Sequence, residues 1–168
     1  MQENILFEDR LYRYIYYRTQ DSQDPIVYIE LCVDEEERKS MEKLDFAPIS
    51  DLNTFRQKLL ERGICSPNIL NNLKIALTEL FKCCYNLSNI TVLSDFDFTN
   101  VVDYDYMFEF CKSLNSKTCG FDILNHETVH DQLVNNKVRF SGMFNGAYNY
   151  ALPEWVEGHL FNMLWYGC

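Results

Sequence analysis

The stretch from Ile64 to Val92 places the strongest constraint on the fold, because its apolar residues recur at helical spacing. Members of this stripe lie three or four residues apart, at Leu70, Leu73, Leu77, Leu80 and Cys84, with Ile69, Ala76 and Phe81 beside them. Ser66 followed by Pro67 is typical of a helix start, because proline lacks an amide that would have no partner there. Residues 86–89, which are poor helix formers or small, interrupt the run, so the pattern predicts a buried helical hairpin at the centre of the chain.

Two short motifs resemble those of the Bcl-2-like apoptosis regulators. Glu79-Leu80-Phe81, a four-residue spacer and Asn86-Leu87-Ser88-Asn89-Ile90 follow the first homology motif of that family, which reads E-L-F, spacer, N-W-G-R-I. Near the C-terminus, Leu152-Pro153-Glu154-Trp155-Val156 is similar to the second homology motif, whose core is P-W-I. The apolar segment Phe55 to Pro67 is also similar to the third helix of the family.

The resemblance implies an all-α fold, in which residues 1–168 form a single helical bundle around the central hairpin and carry a surface peptide-binding groove. It identifies the chain as a divergent viral pro-survival member without the membrane tail of the family. The implied function is to inhibit apoptosis by sequestering a host pro-apoptotic protein, whose amphipathic BH3 helix would lie in the groove. A viral decoy of the same fold that acts on inflammatory signalling is the alternative.

The resemblance also assigns residues to the groove. The BH3-binding set is Phe55, Leu80, Asn86, Asn89, Thr91, Val92 and Phe96, to which helical periodicity adds Leu59. Asn89 stands where the family has an arginine that pairs with an aspartate of the ligand. Because asparagine offers only a neutral hydrogen bond, we expect a narrower or weaker set of ligands. An exposed apolar groove also favours a homodimer that covers it.

The N-terminal half yields further expectations. Ile5 to Tyr17 carries apolar residues on one helical face and is interpreted as a packing helix. Ile26 to Val33 fits a strand or a helix, and context favours a helix. Asp34 to Glu37 is interpreted as a solvated helical face or a loop and not as a metal site, and Asp51 to Arg62 as a helix that Gly63 ends in a left-handed cap.

The C-terminal half is expected to continue as helices. Ile90 to Phe98 would be the buried fifth helix of the family, although Asp95 and Asp97 conflict with full burial. Val101 to Leu114 resumes an apolar pattern, and Lys112 to Glu127 is interpreted as a surface insertion. Apolar residues of Thr128 to Tyr150 again share one side, and a short helix pair containing Trp155 and Trp165 follows.

Composition limits the class of protein. A hydrophobic content of 47% predicts a folded globular chain, and no apolar run is long enough to span a bilayer. The net charge of -10 argues against nucleic acid and favours a basic partner. The seven cysteines cannot all pair internally, which indicates a reducing compartment. We therefore expect a cytoplasmic protein without a cofactor, which partners would recruit to mitochondria.

One motif points to an enzyme instead. His126-Glu127-Thr128-Val129-His130 matches H-E-x-x-H, in which two histidines one helical turn apart hold zinc and the glutamate acts as general base. The continuation of the best-known zinc proteases is missing, because Leu133 and Asn136 stand where glycine and a third histidine are required. A surface helix is the favoured interpretation, with no metal and no catalytic residue, and a zinc hydrolase is the less favoured alternative.

Overall fold

The computed structural model describes residues 4–17, 24–64 and 67–167, and its main feature is a five-stranded mixed sheet. The strands are β1 (Asn4–Glu8), β2 (Tyr12–Tyr17), β3 (Ile26–Leu31), β4 (Lys74–Ala76) and β5 (Val101–Asp103), and they lie side by side in chain order. The described α-helices are short: α1 (Glu35–Ser40), α2 (Leu52–Glu61), α3 (Pro67–Leu70), α4 (Glu127–Val134) and α5 (Gly158–Tyr166). The predicted all-α fold, the helical bundle and the membership of the Bcl-2-like family are therefore wrong.

The first three strands form an antiparallel meander where the sequence predicted helices at Ile5 to Tyr17 and Ile26 to Val33. Along β2 the tyrosines at alternate positions point into the core, and Tyr12, Tyr14 and Tyr16 are at most 4% exposed. The carboxylate of Asp9 accepts the amides of Leu11 and Tyr12 at 2.9 and 2.7 Å and so closes the turn between β1 and β2. Alternation and a polar turn define a hairpin, and the helical interpretation overlooked both.

Between β3 and β4 lie α1 and α2, and the helix predicted at Asp51 to Arg62 is confirmed together with its caps. Asp34 caps α1, whose acidic first turn is exposed, and Asp51 caps α2 through the amide of Asn53 at 3.0 Å. Gly63 adopts φ +62° after α2, and the amide of Ile64 bonds to the carbonyl of Leu59. Phe55 and Leu59 of α2 are fully buried, and the Phe55 ring lies 5.4 Å from that of Tyr14.

The predicted central hairpin is absent, because helix occupies only Pro67–Leu70 of that stretch. Strand β4 follows, and then a series of tight turns in which an amide bonds to the carbonyl three residues earlier, as Leu80 does to Leu77 and Cys84 to Phe81. Such turns bring every third or fourth residue to the same side. They reproduce the spacing of a buried helix without forming one.

These turns recur three times and stack on one another. We name residues 77–87, 104–114 and 140–150 the first, second and third coil. The amides of Leu77, Glu79, Phe81 and Cys83 donate to carbonyls of the second coil and its preceding strand at 2.8 to 2.9 Å. Those of Tyr104, Tyr106, Phe108 and Phe110 donate in the same way toward the third coil at 2.7 to 2.9 Å. The chain is thus a short solenoid that continues the parallel part of the sheet.

Equivalent positions of the coils form columns in the core. The columns are Leu77, Tyr104 and Phe140; Leu80, Met107 and Met143; Phe81, Phe108 and Phe144; Cys84, Cys111 and Ala147; and Leu87, Leu114 and Tyr150, and every member is at most 1% exposed. The ring of Phe108 stacks between those of Phe81 and Phe144, at 5.6 and 5.4 Å. An internal repeat therefore organises this part of the chain.

The segments between coils differ from the predicted helices. Of Ile90 to Phe98, Thr91–Asp95 forms a 3-10 helix, and Val101 to Leu114 is β5 followed by the second coil. The expected surface insertion at Lys112 to Glu127 contributes Cys119, Ile123 and Leu124 to the core, so that interpretation is wrong. The helix expected over Thr128 to Tyr150 ends at Val134, and the final helix pair is the single helix α5.

Helix α5 covers the free end of the stack. The carbonyls of Met163 and Leu164 accept the amides of Gly142 and Phe144, at 2.6 and 2.9 Å, in the place where a further coil would lie. Carbonyls of a last helical turn have no partner within the helix, so they are available for this role. Among the described residues, none of the helices combines the length and the apolar character that crossing a membrane requires.

Candidate functional site

The predicted groove residues do not line a common trough. Phe55, Leu59, Leu80 and Phe96 belong to the core and are at most 3% exposed. Asn86, Asn89 and Thr91 are exposed, and Val92 is half-buried. Asn89 borders an open cleft of about 590 Å³ beside residues 40–43, and its side chain accepts the amide of Thr91 at 2.9 Å. The fold therefore gives no support to the groove roles that the resemblance assigned.

The two histidines of the H-E-x-x-H motif pack against aromatic rings. His126 precedes α4, and its ring lies 5.2 Å from that of Phe98. His130 lies within the helix and meets the ring of Trp155 at 4.5 Å. Within residues 4–17, 24–64 and 67–167, no group of three or more histidine, cysteine or acidic side chains is arranged to hold a metal ion.

The buried cysteines are poor nucleophiles. Burial raises the pKa of Cys84 to about 12 and also raises the pKa of Cys111. Since the thiolate is the reactive form, these thiols are inert near neutral pH. Cys32, Cys83 and Cys119 are free thiols as well.

One side of the sheet carries a continuous row of side chains that face away from the core. Cross-strand pairing joins Ile5 to Ile15, Ile15 to Tyr28, Tyr28 to Ala76, Ala76 to Asp103 and Asp103 to Arg139. We call this row, together with Tyr17, Glu30, Thr78 and Asp105, the outer face. Residues two apart in a strand share a side of the sheet, which places Tyr17 and Glu30 beside Tyr28.

The outer face changes in character along its length. At the β1 end it is apolar, and Ile5 is 42% exposed. At the other end Arg139 reaches over two buried carboxylates, with its guanidinium 2.7 Å from Asp105 and 3.8 Å from Asp103. Burial raises the pKa of Asp103, because its charged form is poorly solvated there. The exposed arginine, 76% accessible in its side chain, offers a donor to solvent or to a bound molecule.

The buried carboxylates also join the coils to one another. Asp105 accepts the amide of Ser141 at 2.6 Å, which links the second coil to the third. Glu109 accepts the side-chain amide of Asn145 at 2.8 Å and pairs with Lys82 of the first coil at 3.1 Å. This pairing is the main reason that the pKa of Lys82 is raised. These groups therefore serve the fold.

A notch interrupts the outer face near its apolar end. Ile15, Tyr17, Tyr28 and Glu30 line a pocket of about 270 Å³. The two tyrosine rings lie 5.6 Å apart and nearly perpendicular, at 80°. Burial is the main cause that raises the pKa of Tyr28, and the nearby Asp103 adds to it.

None of the outer-face residues belongs to the predicted groove. Two signals in the sequence could have indicated the outer-face residues. Alternation in residues 12–17 and 26–31 marks Ile15, Tyr17 and Tyr28 as the side opposite the core. The similarity of residues 77–87, 104–114 and 140–150 marks stacked repeats, which align Thr78 with Asp105 and Ser141.

Comparisons of this chain with protein-family models, with curated proteins and with solved structures find no match.

Proposed function

We propose that the chain is a non-catalytic protein-binding module that presents the outer face to an extended segment of a partner. The observation that carries the proposal is the cross-strand row from Ile5 to Arg139, in which an apolar, an aromatic and a cationic side chain are accessible on one side of the sheet. These are Ile5, Tyr28 and Arg139, and the Ile15, Ala76 and Asp103 side chains of the same row are buried. Stacked repeats commonly use such a surface for binding, because each repeat adds side chains to it in register.

The arrangement of groups supports binding over catalysis. The two histidines of the H-E-x-x-H motif pack against Phe98 and Trp155. The buried thiols of Cys84 and Cys111 have raised pKa values. The outer face instead combines the half-buried Tyr17 and Tyr28 with the exposed Arg139, and tyrosine and arginine contribute much of the energy at protein interfaces. The predicted class of protein–protein interaction thus remains a proposal.

The proposal does not retain the BH3 helix as the ligand. That ligand, the homodimer over a groove, and the decoy of inflammatory signalling were implied by a fold that the chain does not have. The cytoplasmic location and the mitochondrial recruitment remain predictions.

Selection from a random peptide library displayed on phage tests the proposal. Peptides enriched on the wild-type protein should lose binding to a Tyr28→Ser, Arg139→Ser variant and keep binding to Tyr148→Ser. Tyr148 is the matched control, since it is 78% exposed on the third coil and lies outside the outer face. Circular dichroism confirms that each variant is folded. Failure to enrich any peptide, or peptides that bind both variants equally, would contradict the proposal.

A further inference from the structure

The notch in the outer face has the shape of a partial aromatic cage. Tyr17 comes from β2 and Tyr28 from β3, and their rings meet edge to face at 80° to form a corner, while Ile15 lines the same pocket. Glu30 adds an exposed carboxylate at the rim. Aromatic faces carry negative potential, so two such walls with a carboxylate favour a cation over a neutral group.

The charges around the notch favour the same class of occupant. Asp103 lies near enough to raise the pKa of Tyr28, Arg139 beside it acts in the opposite direction, and the chain carries a net charge of -10. Arg13 stands opposite Glu30 across the strand pair, but its guanidinium bonds to Glu8 at 3.1 Å. Glu30 also interacts electrostatically with Arg13, which leaves one arginine beside two glutamates. The rim is therefore acidic on balance.

We propose that the notch binds the side chain of an arginine or lysine from a basic partner segment, with the cation in the corner formed by the rings of Tyr17 and Tyr28 and facing Glu30. The proposal rests on the proposed function, in which the outer face is the binding surface. It adds the chemistry of the partner. The stem of either side chain would contact Ile15 while its charged end meets the rings and the carboxylate.

A nuclear magnetic resonance titration tests the cage with a defined probe. The probe is the peptide Ser-Gly-Ser-Gly-Arg-Gly-Ser-Gly-Ser, and its control carries citrulline, which has the shape of arginine without its charge. The arginine peptide should shift the ring signals of Tyr17 and Tyr28 in a saturable manner at millimolar concentration. The citrulline peptide should bind about two- to fivefold more weakly, the effect of an exposed cation–π contact.

Variants separate the cage from general attraction to an acidic protein. Tyr28→Leu keeps the net charge and should lower the affinity for the arginine peptide by about two- to fivefold, whereas Tyr148→Leu should leave that affinity unchanged. Glu30→Gln should weaken it by about twofold. Equal affinities for the two peptides, or an affinity for the arginine peptide that Tyr28→Leu does not change, would overturn the cage.

The two proposals fail in different ways. Library peptides that depend on the outer face but tolerate replacement of every arginine and lysine by citrulline or glutamine would overturn the cage and keep the binding surface. Library peptides that do not depend on the outer face would overturn both.

Discussion

Two glycines of the third coil lie under aromatic rings of the second. A Cβ at Gly142 would lie 2.5 Å from the ring of Tyr106, and a Cβ at Gly146 would lie 2.3 Å from that of Phe110. Both glycines have positive φ, as do Tyr106 and Phe110 at the aligned positions. The coils can approach closely because the residue beneath each ring has no side chain.

We predict that Gly146→Ala destabilises the protein by about 1–3 kcal/mol more than Gly158→Ala does. Both positions have positive φ, but a Cβ at Gly158 meets nothing within 4 Å, so the control measures backbone strain alone. Urea denaturation of the two variants gives the difference in the free energy of unfolding. Equal losses would show that the ring of Phe110 does not lie over Gly146.

The raised pKa of Asp103 yields a prediction on pH. Because burial raises its folded pKa above the ordinary value of 3.8, the charged form opposes folding, and the contribution of this carboxyl group to stability should increase as the pH falls through the folded pKa. We expect Asp103→Asn to be at least as stable as the wild type at pH 7, with the advantage shrinking toward pH 4. Asparagine can still accept the amide of Asp105, which bonds to Asp103 at 2.8 Å.

Urea denaturation at pH 7 and pH 4.5 checks this expectation. An asparagine variant that is clearly less stable at pH 7 than at pH 4.5, relative to the wild type, would contradict it. Such a result would show that attraction to Arg139 outweighs the burial of the carboxylate.

At the scale of elements, the sequence predicted correctly those features that depend only on residues close together in the chain. The caps of α2 follow from Asp51 and Gly63, and the structure contains both. The coils could not be separated from a helix by spacing alone, because i to i+3 turns place Leu77, Leu80, Cys84 and Leu87 at the same intervals. The stacking becomes visible only when residues 77–87 are compared with residues 104–114 and 140–150. A search for helical spacing within one segment does not make that comparison.

Helix α5 offers a test of how the stack ends. Leu164 is fully buried, whereas Phe161 of the same helix is 38% exposed. We predict that Leu164→Ala lowers the free energy of unfolding by about 2–5 kcal/mol and that Phe161→Ala changes it far less. In the leucine variant the amides of Gly142 and Phe144 should exchange faster with solvent, because the carbonyls that accept them are displaced.

Hydrogen exchange followed by nuclear magnetic resonance measures this effect. The control is the amide of Leu77, which bonds to Asp103 at the opposite end of the stack. Unchanged protection of Gly142 and Phe144 in a folded Leu164→Ala variant would show that α5 does not cap the third coil.

At the scale of the whole molecule, one buried cluster connects the meander, the coils and the helices. The resemblance in residues 79–90 concerned side chains that serve the first coil, where Leu80 and Phe81 pack inward. A short motif can therefore match in register while the chain around it folds differently. The sequence interpretation missed the outer face for a related reason, since this row forms only when β3, β4, β5 and Arg139 come together.

The central claim is that three coils stack to extend the sheet and so build the outer face. The most direct measurement is a set of nuclear Overhauser contacts in protein labelled on phenylalanine rings. The account predicts contacts from Phe108 to both Phe81 and Phe144, whose rings lie 5.6 and 5.4 Å away. Absence of these contacts, together with helical contacts running from Leu70 through Cys84, would contradict it.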